Sequence, residues 1–131
     1  LENVSLLPYS PIAGGVLSGK YNQAEIPENC RFGDYLAGRD PRQQAMATRF
    51  VNEATLASTA QYLEIARDLS MSPVTLATAW SMNFDYVAST MIGARTADQL
   101  EESLAALEVS LSDELMQRCD EVHKQHPYPM G

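Results

Sequence analysis

Few features of secreted, metal-binding or membrane proteins occur in this sequence of 131 residues. Its two cysteines, Cys30 and Cys119, lie far apart and lack the spacing of metal ligands, so we expect free thiols rather than a disulfide framework. No apolar run approaches the roughly 18 residues that cross a membrane, and no charged-then-apolar signal segment opens the chain. These absences favour a cytoplasmic protein that makes no contact with a membrane.

Basic residues are also scarce, with 9 lysines and arginines against 17 acidic residues and a formal net charge of −8. This balance argues against a broad electrostatic contact with nucleic acid, while leaving room for a local basic spot. The chain begins with Leu1 and Glu2 rather than methionine, a start that is typical of a processed or trimmed product. The N-terminus therefore need not be a natural domain boundary, and residues 1–131 are interpreted as a single partial domain.

The order of predicted elements indicates an α/β protein. Hydrophobic periodicity, capping residues and the positions of proline and glycine define the elements. They are a strand at 4–7, a glycine-rich loop at 12–21, a long variable loop at 22–50, helices over 52–69 and from Pro73, a strand at 86–92, and helices from Ala97 and Ser112. Two strands separated by helical crossovers belong to a parallel sheet.

Apolar spacing predicts one buried face on each helix. These faces comprise Leu56, Ala60, Leu63 and Ala66; Leu76, Ala79 and Trp80; Leu100, Leu104 and Leu107; and Leu115, Cys119 and Val122. Two parallel strands alone leave both sheet edges open, so we expect either the missing N-terminal half of a larger barrel or a self-partner to cover them.

The segment at residues 87–103 is the strongest functional signal. A strand delivers the chain to Gly93, and a helix with a predicted capping box between Thr96 and Gln99 begins within about three residues. The N-terminus of a helix favours the binding of an anion. The Arg95 guanidinium adds coplanar N–H donors that suit phosphate oxygens. The alternative is a capped α/β connection that carries a solvated arginine.

The loop after the first strand offers a second set of groups. Tyr9 ends the strand, and residues 10–20 supply amides, hydroxyls and bare glycine backbone that could approach a diphosphate closely. The alternative is a glycine-rich turn with a tyrosine that packs on its neighbours.

Two long motifs resemble the C-terminal portion of the aldo-keto reductase family, closest to the bacterial group related to potassium-channel β subunits. They are YSPIAGGVLSGKY at residues 9–21 and IGARTADQLEESL at residues 92–104, in that order. The resemblance implies a (β/α)₈ barrel, of which this chain would supply about strands 7 and 8 with their helices. It also implies hydride transfer between NADP(H) and a small aldehyde or ketone.

The resemblance assigns cofactor-binding positions residue by residue. Tyr9 would stack on the nicotinamide ring, Arg95 and Thr96 would lie near the 2′-phosphate, and Gly93 would be a further cofactor-binding position. The positions that would wrap the diphosphate are Ser10, Pro11, Ile12, Ala13, Leu17, Ser18 and Lys20, and those that would face the adenosine are Gln99, Glu102 and Ser103. Ser103 departs from the asparagine that is usual in the family, and it has a shorter reach toward adenine.

No catalytic residue of the family maps onto this chain, because the family's catalytic positions precede Leu1. Tyr9 and Lys20 belong to the cofactor loop, His123 and His126 are interpreted as surface or packing residues, and Trp80 as core. By resemblance the tail would bring Tyr128 near a substrate. The isolated chain is therefore expected to be inactive, and a non-catalytic nucleotide-sensing or interaction subunit, like the channel-associated relatives, is the alternative function.

Overall fold

The computed structural model describes residues 4–130; residues 1–3 and 131, the ends of the predicted partial domain, lie outside the described residues. Helices dominate the described part. They are α1 (Arg31–Ala37), α2 (Pro41–Phe50), α3 (Glu53–Asp68), α4 (Pro73–Met82), α5 (Ala97–Leu104) and α6 (Asp113–Gln125), with 3₁₀ helices at Ala13–Ser18 and Ala105–Glu108.

The two predicted strands are present as short extended segments that pair in parallel. Leu6 pairs with Val87, and Tyr9 pairs with Met91, as two isolated bridges. The amide of Ala88 donates to the Leu6 carbonyl at 3.0 Å, and that of Met91 donates to the Pro8 carbonyl at 2.8 Å. Neither segment becomes a continuous strand among residues 4–130. Pro8 has no amide proton to donate, and a two-member parallel pair has little support from neighbours.

The prediction of a long loop at residues 22–50 is corrected, because α1 and α2 lie within it. Asp40 caps α2 by accepting a hydrogen bond from the Arg42 amide at 2.9 Å, and Pro41 occupies the first turn. Proline at this position does not interrupt a helix, since its missing amide proton would have had no partner there. Pro41, which suggested a loop, thus marks the start of a helix.

The other helix starts are confirmed. Asn52 and Thr55 form a reciprocal capping box at the start of α3, Ser72 caps α4, and Ser112 caps α6. These caps are local signals, because one side-chain oxygen satisfies an amide that the helix itself leaves unpaired.

Two hydrophobic clusters form the core. The first contains the predicted stripe of α6, which packs against α3 and α4: Ile65, Ala66, Leu76, Leu115, Cys119 and Val122. The second joins the first 3₁₀ helix to α1 and α2: Val16, Tyr21, Cys30, Phe32 and Ala47. Cys30 and Cys119 are both buried and free, as the sequence predicts.

Three predicted buried faces need correction. On α3 the structure buries Thr55, Ser58, Thr59, Ile65 and Ala66, whereas Ala60 is exposed. Of the buried hydroxyls, that of Ser58 is accommodated by donating back to the Thr55 carbonyl at 3.0 Å. Trp80 is 37% exposed rather than core.

On α5 and the turn after it, the three predicted core leucines face outward. Leu100, Leu104 and Leu107 are exposed, and Ser103 and Ala106 are buried instead. The paired segments likewise expose Leu6, Leu7, Tyr9, Met91 and Ile92. The prediction that these leucines are buried is therefore wrong for the described residues, which contain nothing that covers them.

Phe32 holds the second cluster together, and its removal tests that cluster. Its side chain is 1% exposed and stacks on Phe50 with ring centroids 5.0 Å apart. We expect Phe32→Ala to lower the free energy of unfolding by about 3–5 kcal/mol, measured by urea denaturation. Leu36→Ala on the same helix, where the side chain is exposed, is the control and should cost about 1 kcal/mol or less. Equal losses for the two variants would contradict the observed packing.

Candidate functional site

The two predicted motifs leave the same end of the parallel pair. Tyr9, at the start of the first motif, pairs with Met91, directly before the second. Because the paired segments run in the same direction, residues 10–21 and 92–104 both emerge from their carboxyl ends. In open and barrel-forming parallel sheets this is the end at which ligands bind.

The helix start in the second motif is a variant of the predicted capping box. Thr96 Oγ1 accepts from the Gln99 amide at 3.3 Å, as predicted. Gln99 Oε1, however, accepts from the amide of Arg95 at 3.0 Å rather than from that of Thr96. Within the described part of the chain, no hydrogen bond engages the amides of Ala97 and Asp98, so the first turn of α5 keeps donors available.

Gly93 and Arg95 stand in open surroundings. A Cβ atom added to Gly93 would meet nothing within 4 Å, unlike the other glycines for which neighbours are found. The Arg95 guanidinium donates from Nη1 to the carbonyl of Asn29 at 3.2 Å, and it forms no ion pair among residues 4–130. Sequence reasoning missed Asn29, since it lies in the stretch interpreted as loop.

Side chains of this protein occupy the space beside the glycines of the first motif. Gly14 and Gly15 both have positive φ, and the Phe32 ring and the Lys20 ammonium each lie 2.8 Å from where their Cβ atoms would stand. Leu63 occupies the equivalent space at Gly19, also at 2.8 Å. The space beside these glycines is therefore occupied by groups of the chain itself, and a close approach to a diphosphate stays a prediction.

The remaining positions of the first motif surround this 3₁₀ turn. Tyr9, which pairs with Met91, is 76% exposed. Ser10 and Ala13 hold left-handed backbone conformations with φ of 55° and 51°, which is strained for residues with a Cβ. Pro11, Ile12, Leu17, Ser18 and Lys20 are half-buried.

Glu102 and Ser103 lie differently from the other predicted cofactor positions. The Glu102 carboxylate accepts from the Ser72 hydroxyl, and its carbonyl accepts from Thr75 Oγ1 at 2.7 Å. Ser103 is 6% exposed, and its hydroxyl donates to the Gln99 carbonyl at 3.1 Å. Glu102 thus joins α5 to α4, and Ser103 bonds within α5. Both residues stabilise the helix rather than form its open surface.

The hydroxyl of Tyr21, at the end of the first motif, has a structural role. Its oxygen accepts from the amide of Phe32 at 3.2 Å, and burial raises the pKa of Tyr21 to about 12. Burial likewise raises the pKa of Tyr62 to about 12. Both phenols stay neutral near neutral pH, and neither is adjusted to exchange a proton there.

Residues 126–130, the C-terminal tail, line a separate cleft of about 470 Å³ near the junction of α2 and α3. Asn52 Nδ2 donates to the Pro129 carbonyl at 3.3 Å, and Arg49 Nε donates to the Met130 carbonyl at 3.0 Å. His126 contacts the Gln61 amide at 2.9 Å, and the exposed Tyr128 lines the cleft beside it. These contacts agree with a packing role for His126.

Residues 4–130 contain neither a metal cluster nor a membrane-spanning helix. No group of three or more of their His, Cys, Asp or Glu side chains is arranged to hold a metal ion. None of their helices combines the length and apolar character that crossing a bilayer requires.

Comparisons with known proteins identify the family. The sequence model described as "Aldo/keto reductase family" matches residues 1–124. The chain is 34% identical over 128 residues to "Protein tas" of Escherichia coli, covering 98% of this chain and 34% of the relative. It is 30% identical over 116 residues to a "Putative voltage-gated potassium channel subunit beta" of Schizosaccharomyces pombe, covering 87% of this chain and 32% of the relative.

A third relative is an enzyme by name. Identity to "L-glyceraldehyde 3-phosphate reductase" of Escherichia coli is 34% over 109 residues, which is 81% of this chain and 29% of the relative. The chain thus spans about a third of the length of the curated relatives that it matches. The match of the family model over nearly all of its residues shows that the chain belongs to the aldo/keto reductase family.

Proposed function

We propose that this chain is the NADP(H)-binding, C-terminal portion of a (β/α)₈-barrel aldo-keto reductase that reduces small aldehydes or ketones in the cytoplasm. The observation that carries the proposal is the emergence of both motifs from the same end of the parallel pair. That arrangement allows one extended nucleotide to contact both the loop at residues 10–20 and the start of α5.

The residues at the start of α5 fit a phosphate group. Gly93 leaves open space, Ala97 and Asp98 leave amides without partners among the described residues, and Arg95 has no carboxylate within ion-pair distance there. Backbone amides at a helix start and a guanidinium are the donors that phosphate oxygens prefer. The 2′-phosphate distinguishes NADP(H) from NAD(H), so Arg95 would favour NADP(H).

The chain's own contribution would be to bind and orient the cofactor. A nicotinamide cofactor supplies the hydride when it is bound, and the protein supplies its placement. Tyr9 offers an exposed ring to the nicotinamide side, while Arg95 and the amides of α5 hold the phosphate side. Glu102 and Ser103 would act by fixing α5 against α4, through the hydrogen bonds to Ser72 and Thr75 and within α5.

Proton exchange with the carbonyl oxygen would come from elsewhere in the barrel. The hydroxyls of Tyr21 and Tyr62 are engaged by the backbone of the chain itself, at the Phe32 amide and the Cys119 carbonyl, so neither is free for this task. We therefore propose that the isolated chain binds cofactor without turnover. The exposed apolar residues of the paired segments and α5 would be covered by the remaining part of the barrel, with a second copy of the chain as the alternative.

A second candidate function is nucleotide sensing by a non-catalytic subunit. It is supported by the relatives named as potassium channel β subunits, which include proteins from Schizosaccharomyces pombe and Arabidopsis thaliana. The residues described above would bind the nucleotide in either case. The two functions differ in whether the complete protein carries the acid and base residues for carbonyl reduction.

Replacement of Arg95 tests the phosphate assignment. We expect Arg95→Ala to weaken NADP⁺ binding by about 1.5–3 kcal/mol, or roughly 10- to 150-fold, and to change NAD⁺ binding little. Isothermal titration of both nucleotides measures the difference. Arg42→Ala removes an equivalent charge from the exposed start of α2 and should leave both affinities unchanged. Equal losses for NADP⁺ and NAD⁺ in Arg95→Ala would show that Arg95 does not bind the 2′-phosphate.

Two glycine substitutions separate ligand contact from folding. Gly93→Ala should leave the thermal midpoint unchanged, because nothing lies near the added methyl, yet weaken NADP⁺ several-fold by obstructing the phosphate. Gly14→Ala should lower stability by about 1 kcal/mol or more, because its φ is +65° and Phe32 fills the space. Unchanged NADP⁺ affinity in a folded Gly93→Ala protein would count against a ligand at Gly93.

A further inference from the structure

The two ends of Arg95 are held by different parts of the fold. Its guanidinium donates from Nη1 to the Asn29 carbonyl at 3.2 Å, across 66 residues of sequence. Its backbone amide donates to Gln99 Oε1 at 3.0 Å. Among residues 4–130 the side chain of Arg95 has no other hydrogen-bond acceptor and no ion pair, so the Asn29 carbonyl alone orients it there.

Asn29 directs this carbonyl from an uncommon backbone conformation. Its φ is 57°, in the left-handed region that residues with a Cβ rarely occupy. Asparagine tolerates this region better than most residues, whereas a β-branched side chain is strongly disfavoured in it. Asn29 is exposed, and its side-chain amide makes no hydrogen bond among the described residues, so the contact with Arg95 depends on its backbone.

The turn that contains Asn29 is anchored on both sides. Cys30 follows it directly, is 5% exposed and belongs to the second hydrophobic cluster. Cys30 Sγ donates to the Pro27 carbonyl at 3.0 Å, which joins the residue after the turn to a residue before it. A Cβ added to Gly33 would lie 2.8 Å from Cys30 Sγ and 3.2 Å from the Pro27 carbonyl oxygen. Packing against α1 therefore fixes the position of the Asn29 carbonyl.

A fixed acceptor restricts the orientations of the Arg95 side chain. An unrestrained arginine loses rotamer freedom when it binds a phosphate, and this loss lowers its affinity. A guanidinium has five N–H donors, of which the Asn29 carbonyl engages one, so the others remain available for phosphate oxygens. The hydrogen bond can therefore orient Arg95 before a ligand binds without consuming its capacity to bind one.

We infer that Asn29 is a positioning residue for Arg95, and that its backbone carbonyl strengthens the preference for a dinucleotide with a 2′-phosphate. The inference rests on the proposed function, which assigns the 2′-phosphate to Arg95. NAD⁺ lacks that phosphate, so the contact should matter for NADP⁺ and hardly for NAD⁺. Asn29 acts only through the Arg95 guanidinium, so its effect should disappear when that guanidinium is removed.

The first test is titration of the full chain with NADP⁺ and, separately, with NAD⁺. Valine should turn the carbonyl away from Arg95, so we expect Asn29→Val to bind NADP⁺ about three- to tenfold more weakly and NAD⁺ within about twofold of wild type. Glycine adopts positive φ readily, so Asn29→Gly should keep both affinities within about twofold. Ala24 is exposed in the same segment and has no positive φ, so Ala24→Val is the control and should change neither affinity.

The second test shows whether Asn29 acts through Arg95. In an Arg95→Ala protein, Asn29→Val should cause no further loss of NADP⁺ affinity, because no guanidinium remains to be oriented. An equal loss in both backgrounds would show that valine only disturbs the surrounding fold. Thermal unfolding of each variant establishes folding. If Asn29→Val does not fold, Asn29→Ala takes its place, since alanine is also disfavoured at positive φ.

The outcomes separate this inference from the function on which it rests. If the wild-type chain binds neither nucleotide, or Arg95→Ala keeps the NADP⁺ affinity, the proposed site fails and the inference fails with it. If Arg95→Ala weakens NADP⁺ but Asn29→Val does not, only the inference is overturned. Tighter NADP⁺ binding by Asn29→Val would also overturn it, because the carbonyl would then compete with the phosphate. A loss in Asn29→Gly equal to that in Asn29→Val would assign the effect to the side chain and overturn it as well.

Discussion

A short parallel pairing of two extended segments sets the positions of everything proposed to act in this protein. Backbone hydrogen bonds join Leu6 to Tyr86 and Ala88, and Pro8 to Met91. They bring two motifs that are about 70 residues apart in sequence to one end of the molecule. Because only two bridges form this pairing, the packing of the helices must keep the two segments together. The hydrogen bonds of Glu102 with Ser72 and Thr75 fix α5 against α4, beside the second segment.

The same constraint explains the exposed apolar face. A parallel pair of this size leaves both edges and part of its surface uncovered, and Leu104 and Leu107 extend that surface onto α5 and the following turn. The chain spans about a third of the length of the relatives that it matches. Under the proposed function, further strands and helices of the complete protein would pack on this face.

Local signals were sufficient to predict much of the fold. Asn52, Ser72 and Ser112 cap helices where the sequence places them, because a cap depends on residues within one turn. The outward orientation of Leu100, Leu104 and Leu107 could not be predicted, since apolar spacing identifies a packing face without saying what packs there. Residues 22–50 were misjudged because Asp40-Pro41 begins a helix, although the same dipeptide is common in turns.

The candidate site was predicted as a set of positions, and the structure adds their orientations. Resemblance assigned Glu102 and Ser103 to the adenosine, but their side chains make hydrogen bonds within the protein. Asn29 carried no motif, and only its contact with Arg95 brings it to the site. Tertiary contacts of this kind leave no regular spacing in a sequence.

The most direct test of a nucleotide site at this end of the molecule is amide chemical-shift mapping by NMR as the full chain is titrated with NADP⁺. A bound nucleotide predicts saturable shifts at Gly93, Arg95, Thr96 and Gln99, together with residues 10–20. Absence of such shifts, or shifts confined to the cleft beside Tyr128, would contradict a cofactor site formed by the two motifs.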